Sequence, residues 1–203
     1  MPSNKELSLT SNVLLIIEKC IMKKNITPSK DQTKQWRLLQ KWYKGGRKNE
    51  CELYQREMIE RITGQSCPKT NERINTEKND IIVETQPMKR DDAFDWTEDF
   101  DGKQSERPYP IFYNLKMVVG SGGAQTRSLR EVAHFIRAQL EYNSSHIDNL
   151  AYFVNILDGD QSFKLYDKYK TILNKEKYKY VKNFVYIGDT HGFIDWFNQL
   201  NVP

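Results

Sequence analysis

The chain has 203 residues, with 31 Lys+Arg against 27 Asp+Glu, a net charge of +4, 38% hydrophobic residues and a mean hydropathy of −0.76. That is enough for one domain with a full core, alone or with a small helical appendage, and 11 Tyr, 9 Phe and 4 Trp supply apolar surface that disordered chains lack. No apolar run approaches the ~20 residues that cross a bilayer and none has the flanks of a signal peptide, so a soluble protein with no membrane role is expected.

Residues 1 to about 64 read as helical. Ser11 or Asn12 can cap a first helix carrying Val13, Leu14, Ile16, Ile17, Cys20 and Ile21, which Pro28 breaks. A second helical segment runs over 29–43 and ends at Gly45-Gly46; a third, over 49–63, places Leu53, Ile59 and Ile62 near one face and stops at Gly64. Residues 1–80 hold 16 Lys+Arg and 10 Asp+Glu, a local excess of +6. Cys20, Cys51 and Cys67 are odd in number and lack zinc-site spacing, which predicts reduced thiols and a cytoplasmic protein.

Residues 65–92, with Pro68, Asn71, Asn75 and Asn79 around the single β-like run Ile81-Ile82-Val83, read as a loop-rich join. From Asp91 to Asp101 come six carboxylates, Asp91, Asp92, Asp95, Glu98, Asp99 and Asp101, with no Lys or Arg among them. The aromatic and β-branched run over 111–119 predicts a core strand, followed by the loop Gly120-Ser121-Gly122-Gly123. A helix over 126–142 follows, with Leu129, Val132, Ala133, Ile136 and Leu140 at helical period and Arg130, His134, Arg137 and Glu141 in a polar stripe beside them. Further strands are expected over 152–157 and 183–187, a helix over 193–200, and between them a Lys/Tyr stretch over 164–182 with seven Lys against two acids. Strand, helix, strand, helix, strand is an α/β order.

Two constellations stand out. Asn114 and Lys116 share one face of a core strand, and a lysine in an apolar run needs an acidic partner. If the acidic cluster forms the neighbouring strand, its carboxylates and Lys116 together suit a divalent cation beside an ammonium that orients or deprotonates a water; the alternative is an ordinary salt bridge at a strand end beside an exposed acidic loop. The glycine loop lacks both the Gly-Lys-Ser/Thr ending of a P-loop and G-x-G-x-x-G spacing, which disfavours a nucleotide fold, yet Gln125, Arg127 and Arg130 beside it suit phosphate or base-edge contacts. His134, His146 and His191 show no ligand spacing.

Taken together, Trp96-Thr97-Glu98-Asp99-Phe100-Asp101-Gly102, Phe112-Tyr113-Asn114-Leu115-Lys116 and Gly122-Gly123-Ala124-Gln125-Thr126-Arg127-Ser128-Leu129-Arg130-Glu131-Val132 resemble type II restriction endonucleases of the PD-(D/E)XK nuclease superfamily, over residues 94–195 and more loosely over 45–64. The resemblance implies a mixed α/β (α+β) fold, a mixed sheet flanked by helices, with a helical N-terminal region 1–64, a join 65–92 and a nuclease core 93–203. It implies hydrolysis of double-stranded DNA with magnesium (Mg2+), Asp101 as first metal ligand with Glu98 or Asp99 as rivals, and Lys116 as the lysine. Asn114 stands where the family has Asp or Glu, which removes an anionic ligand; an amide oxygen still coordinates Mg2+ weakly, or Glu98 supplies the charge. Glu57 or Glu60 would complete the site from the earlier helix. Gln125, Arg127, Arg130 and Arg137 would contact DNA, in a homodimer matching a palindromic target, with a DNA methyltransferase as genetic partner. Two alternatives remain: a catalytically weakened DNA-binding or nicking protein on the same fold, and a non-nuclease interaction domain.

Overall fold

The computed structural model describes residues 27, 32–45, 49–76, 78–83, 97–105, 108–120 and 122–200. The helix expected over 11–21 lies outside the described residues, as do Cys20, Asp91, Asp92 and Asp95 and the side chain of Gln125. The elements in chain order are α1 (Thr33–Leu38), α2 (Glu50–Thr63), β1 (Glu72–Asn75), β2 (Asp80–Val83), β3 (Thr97–Asp99), β4 (Gly102–Gln104), β5 (Ile111–Met117), α3 (Gly123–Ser145), β6 (Tyr152–Asp158), α4 (Asp160–Phe163), α5 (Tyr166–Leu173), β7 (Val185–Gly188) and α6 (Thr190–Leu200). The fold is mixed α and β with two sheets. No helix of the described residues is long and apolar enough to cross a membrane.

The larger sheet has the order β4-β5-β6-β7; β4 pairs antiparallel with β5, whereas β5, β6 and β7 are parallel. The 23-residue helix α3 makes the crossover from β5 to β6, as parallel neighbours require. Side-chain alternation sends the two faces of each strand into different cores. Phe112, Phe153 and Leu157 pack under α3 and α5 with Val132, Phe135, Ile136 and Tyr169. Ile111, Tyr113, Leu115, Val154 and Ile156 pack on the opposite face with Ile59 of α2 and Phe193 and Phe197 of α6. β5, β6 and β7 are largely buried on both faces, hence their mostly apolar sequences.

The smaller sheet, β2-β1-β3, is antiparallel throughout. It places two strands within the segment 65–92 read as a loop-rich join, and β2 falls on the β-like run Ile81-Ile82-Val83. Asn75 and Asn79, taken from sequence as loop residues, build a hairpin turn: Asn75 Oδ1 accepts from the Lys78 N–H at 2.9 Å, and Asn79 adopts a left-handed φ of 57°. The four-residue strands they join are partly exposed and too short to show alternation. Other boundaries move too: the segment over 29–43 is α-helical only at Thr33–Leu38, the strand over 111–119 ends at Met117, and the last helix starts at Thr190. The long helix begins at Gly123 and reaches Ser145, the Lys/Tyr stretch forms α5 and then 3-10 turns, and the last strand starts at Val185 because Lys182–Phe184 is a 3-10 turn. Cys51 and Cys67 are free thiols, and burial pushes the Cys67 thiol up to about 12.

Gly159 joins β6 to α4 with φ +108°, and a Cβ there would lie 2.3 Å from the Val118 carbonyl oxygen. Side chain and backbone cannot share that space, so Gly159→Ala is expected to lower stability by about 2–4 kcal/mol in urea denaturation. Gly123→Ala, where a Cβ meets nothing within 4 Å, serves as the near-neutral control.

Candidate active site

The chain leaves the small sheet and enters the large one within two residues. The Phe100 N–H donates to Glu72 O (3.1 Å) on the small sheet, and the Asp101 N–H donates to Tyr113 O (2.8 Å) on β5. Phe100 drives the turn: its ring is buried against Phe112, Phe135 and Phe153, with centroids 4.6–5.8 Å away. Gly102 follows because a Cβ there would sit 2.7 Å from Cys67 Sγ. Asp101 is thereby held at the bend, and its Oδ2 accepts from the Leu115 N–H at 2.7 Å.

Lys116, one residue further along β5, places Nζ 3.9 Å from Asp101 Oδ2. The lysine is 37% exposed and the carboxylate 15%, so the ammonium stands at the solvent side of a largely covered acid. Burial raises the Asp101 carboxyl above the usual aspartate range, and Lys116, the Leu115 N–H, Lys69 and Arg56 oppose that rise. The acidic cluster thus reaches β5 as expected, but through the bend and β4: Glu98 and Asp99 lie on β3, in the other sheet. Asp99 turns to Arg73 at 3.0 Å. Glu98 is raised by burial and then by the charge of Glu131 on α3, with Lys116 lowering it, and it lines a cavity of ≈ 470 Å³ with Thr76, Glu131 and His134.

The earlier helix contributes Glu52, a residue that sequence reasoning missed. Burial raises its carboxyl, Asp101 raises it further, and Arg56, Lys69 and Lys116 lower it. Arg56 Nη2 stands 3.5 Å from Glu52 Oε1, yet that buried oxygen accepts no hydrogen bond among the described residues. Of the two glutamates expected from sequence, Glu57 is exposed, and Glu60 is engaged at the helix end, where its Oε1 accepts from the Cys67 N–H at 2.8 Å. Helical period offers the signal in retrospect: Glu52, Gln55 and Ile59 form one stripe on the sheet-facing side of α2, and Glu57 lies well round from it.

Gln55 of that stripe donates to Lys116 O (3.3 Å) and to Asp158 Oδ2 (2.8 Å). Asp158, at the C-terminal end of β6, also accepts from the Thr190 N–H (3.0 Å) and hydroxyl (2.7 Å). Complete burial outweighs these three donors and pushes its carboxyl up to about 6.

Asn114 is not brought to this cluster. It is 1% exposed under α3, where its Nδ2 donates to Asn155 Oδ1 (2.9 Å); Gln139 Nε2 donates to the same oxygen (3.1 Å), and Asn155 Nδ2 donates back to Gln139 Oε1 (2.8 Å). Arg127, Arg130 and Arg137 are exposed on α3, the last two beside α5 rather than beside Asp101.

The chain matches no family model, no curated protein and no solved structure. The chemistry of the cluster therefore rests on its own geometry. It combines two partly buried carboxylates, Asp101 and Glu52, the first of which raises the second, a third acid, Glu98, that Lys116 lowers, and one accessible ammonium. Among the described residues no three His, Cys, Asp or Glu side chains form a ready metal cage. A pair is still the right complement for Mg2+, which keeps several waters and takes one or two carboxylates plus oxygens of its substrate. The undonated Glu52 Oε1 fits that demand.

Asp158 carries a pH signature. Its folded value lies above the ordinary aspartate value, so its contribution is full below about pH 4 and is lost as pH rises through about 6. Urea denaturation between pH 4 and 8 is expected to show a fall on the order of 3 kcal/mol from this group, absent in Asp158→Asn, whose amide bonds Gln55 after a flip. Equal pH slopes in the two proteins would refute the assignment.

Proposed function

We propose that the chain is a magnesium-dependent endonuclease of the restriction type, hydrolysing phosphodiester bonds of double-stranded DNA at the cluster around Asp101 and Lys116. One observation carries the reading: a backbone-anchored carboxylate, at the bend that leads into β4, 3.9 Å from a solvent-reaching ammonium on the antiparallel neighbour β5. The order of elements supports it. A mixed sheet flanked by helices, with Lys116 on the hairpin β4–β5, agrees with what the resemblance to PD-(D/E)XK nucleases implies.

Asp101 and Glu52 would hold the Mg2+. When bound, the ion supplies Lewis-acid stabilisation of the charge that develops on the scissile phosphate. Lys116, as the ammonium, would orient the attacking water and stabilise the developing negative charge from the solvent side, the water's proton passing to solvent. Burial and the charge of Glu131 raise the Glu98 carboxyl, and Lys116 lowers it. Arg127 and Arg130, exposed along α3 with the helix N-terminus, supply phosphate contacts together with Gln125 and Arg137. A homodimer acting on a palindromic site, paired with a protecting methyltransferase in the cytoplasm, completes this reading.

A second reading, a nicking or DNA-binding protein weakened in catalysis, is favoured by the burial of Asn114, which leaves the cluster without the acid the family has at that position.

The decisive measurement is plasmid cleavage with Mg2+. Discrete fragments are expected from the parent and no cutting in EDTA. Lys116→Ala, Asp101→Asn and Glu52→Gln are each expected to lose at least about 100-fold in rate. Cutting at the parental rate by the Lys116 and Asp101 variants would sink the site assignment, and nicked circles alone would support the second reading. Asn114→Asp tests the departure separately. Because its side chain faces Asn155 and Gln139, the new carboxylate is expected to cost about 2–4 kcal/mol of stability at neutral pH and to leave the cleavage rate without gain.

A further inference from the structure

Helices α3 and α5 pack side by side and leave a groove of ≈ 550 Å³ between them. Its floor is apolar: Leu129 and Ala133 from α3, Leu165, Tyr169 and Ile172 from the α5 side. Ala133, the smallest of these, makes the low point. Arg130 and Arg137 stand on the α3 rim, and Lys164 and Lys168 on the other, all four exposed. No carboxylate lines the groove, and none of the four cations forms an ion pair among the described residues; Lys164 only donates to the Gln161 amide oxygen at 3.3 Å. Elsewhere on the same face the chain does neutralise its lysines, as Glu141 does for Lys177 and Glu176 for Lys179.

We propose that this groove is a docking site for an acidic amphipathic helix of a partner protein. The shape decides between anions. Leu129, Ala133 and Arg137 follow one another at i, i+4 and i+8, so the groove runs along about 12 Å of α3, the length of roughly two helical turns. Cations spaced along both rims call for a ligand that carries charge on two flanks and apolar groups between them. An amphipathic helix has that cross-section, laying its apolar stripe on Ala133 and its Asp or Glu residues against the rims. A compact phosphate ligand would reach only part of rims roughly 10 Å long, and a DNA backbone would set its hydrated sugar-phosphate against the apolar floor. The groove shares Arg130 and Arg137 with the proposed DNA contacts but is lined by none of Glu52, Glu98, Asp101 or Lys116, so the test substitutes Lys164, Lys168 and Ala133, which belong to neither set.

The test uses fluorescence anisotropy on the full chain with labelled helical peptides of about four turns. One carries a Leu stripe flanked by Glu, a second has Lys in place of Glu, and a third is the acidic peptide scrambled to lose the stripe. A DNA duplex of similar length is measured alongside. The acidic striped peptide is expected to bind at least roughly tenfold more tightly than the other two peptides, and to weaken at least roughly tenfold in the Lys164→Glu/Lys168→Glu variant. Ala133→Phe, which fills the floor and leaves the charge unchanged, is expected to weaken it too. Melting temperatures report that both variants fold, and the exposed charge reversals remain informative if the Phe variant does not. Absence of saturable binding, or equal binding of the scrambled peptide, would overturn the proposal. So would a loss of duplex affinity in the Lys164/Lys168 variant with no peptide bound, which would make the groove a nucleic-acid surface.

Discussion

Everything at the candidate site depends on how the chain crosses between its two sheets. Two consecutive N–H groups, from Phe100 and Asp101, are committed to different sheets, and the Asp101 carboxylate is then used to hold a third, the Leu115 N–H. A carboxylate accepting a backbone N–H one residue before Lys116 cannot drift along the strand without giving up that bond. The Phe100 ring closes the same bend from the core side, so hydrophobic burial and backbone pairing fix one geometry together. The acid is positioned by the fold rather than by the lysine beside it, which at 3.9 Å contributes charge more than restraint.

The polar groups around this bend divide by purpose. On the α3 side, Asn114, Asn155 and Gln139 form a buried amide network whose hydrogen bonds join neutral groups. Such a network specifies the pairing of β5 with β6 and the seating of α3. On the other side, Glu52, Asp101 and Asp158 are acids whose protonation burial favours, held near the ends of α2, β4 and β6. Asp101 raises Glu52 even though Arg56, Lys69 and Lys116 oppose the rise, and that residual repulsion is the physical basis for the cation proposed there.

Much of the fold was legible in the sequence. The run over 111–119 is rich in aromatic and β-branched residues and ends at Gly120, and α3 has sustained helical period with a polar stripe, so both were plain. The pairing of Asp101 with Lys116 was legible because it needs only a hairpin. The β1–β2 hairpin was not, since its strands are too short to show a period and its turn is built from asparagines that read equally well as loop. Glu52 was not legible because the face α2 presents is decided by how Ile59 docks on the sheet, a tertiary choice. Nor was the seclusion of Asn114, whose partners arrive from residues 139 and 155 across a parallel pairing that no local pattern announces.

Gln55 touches the backbone of β5 at Lys116 and the side chain of β6 at Asp158, from a helix that precedes both in the chain. The parallel register is therefore gauged by a third party rather than by the connection between the two strands. A change in the length of the 118–151 segment, by a longer turn before α3 or a shorter one after it, would leave Lys116 opposite Leu157 and within reach of Asp101. The helical crossover and the basic groove on its outer flank are in that sense free to diversify, while the acids and the lysine beneath stay in alignment.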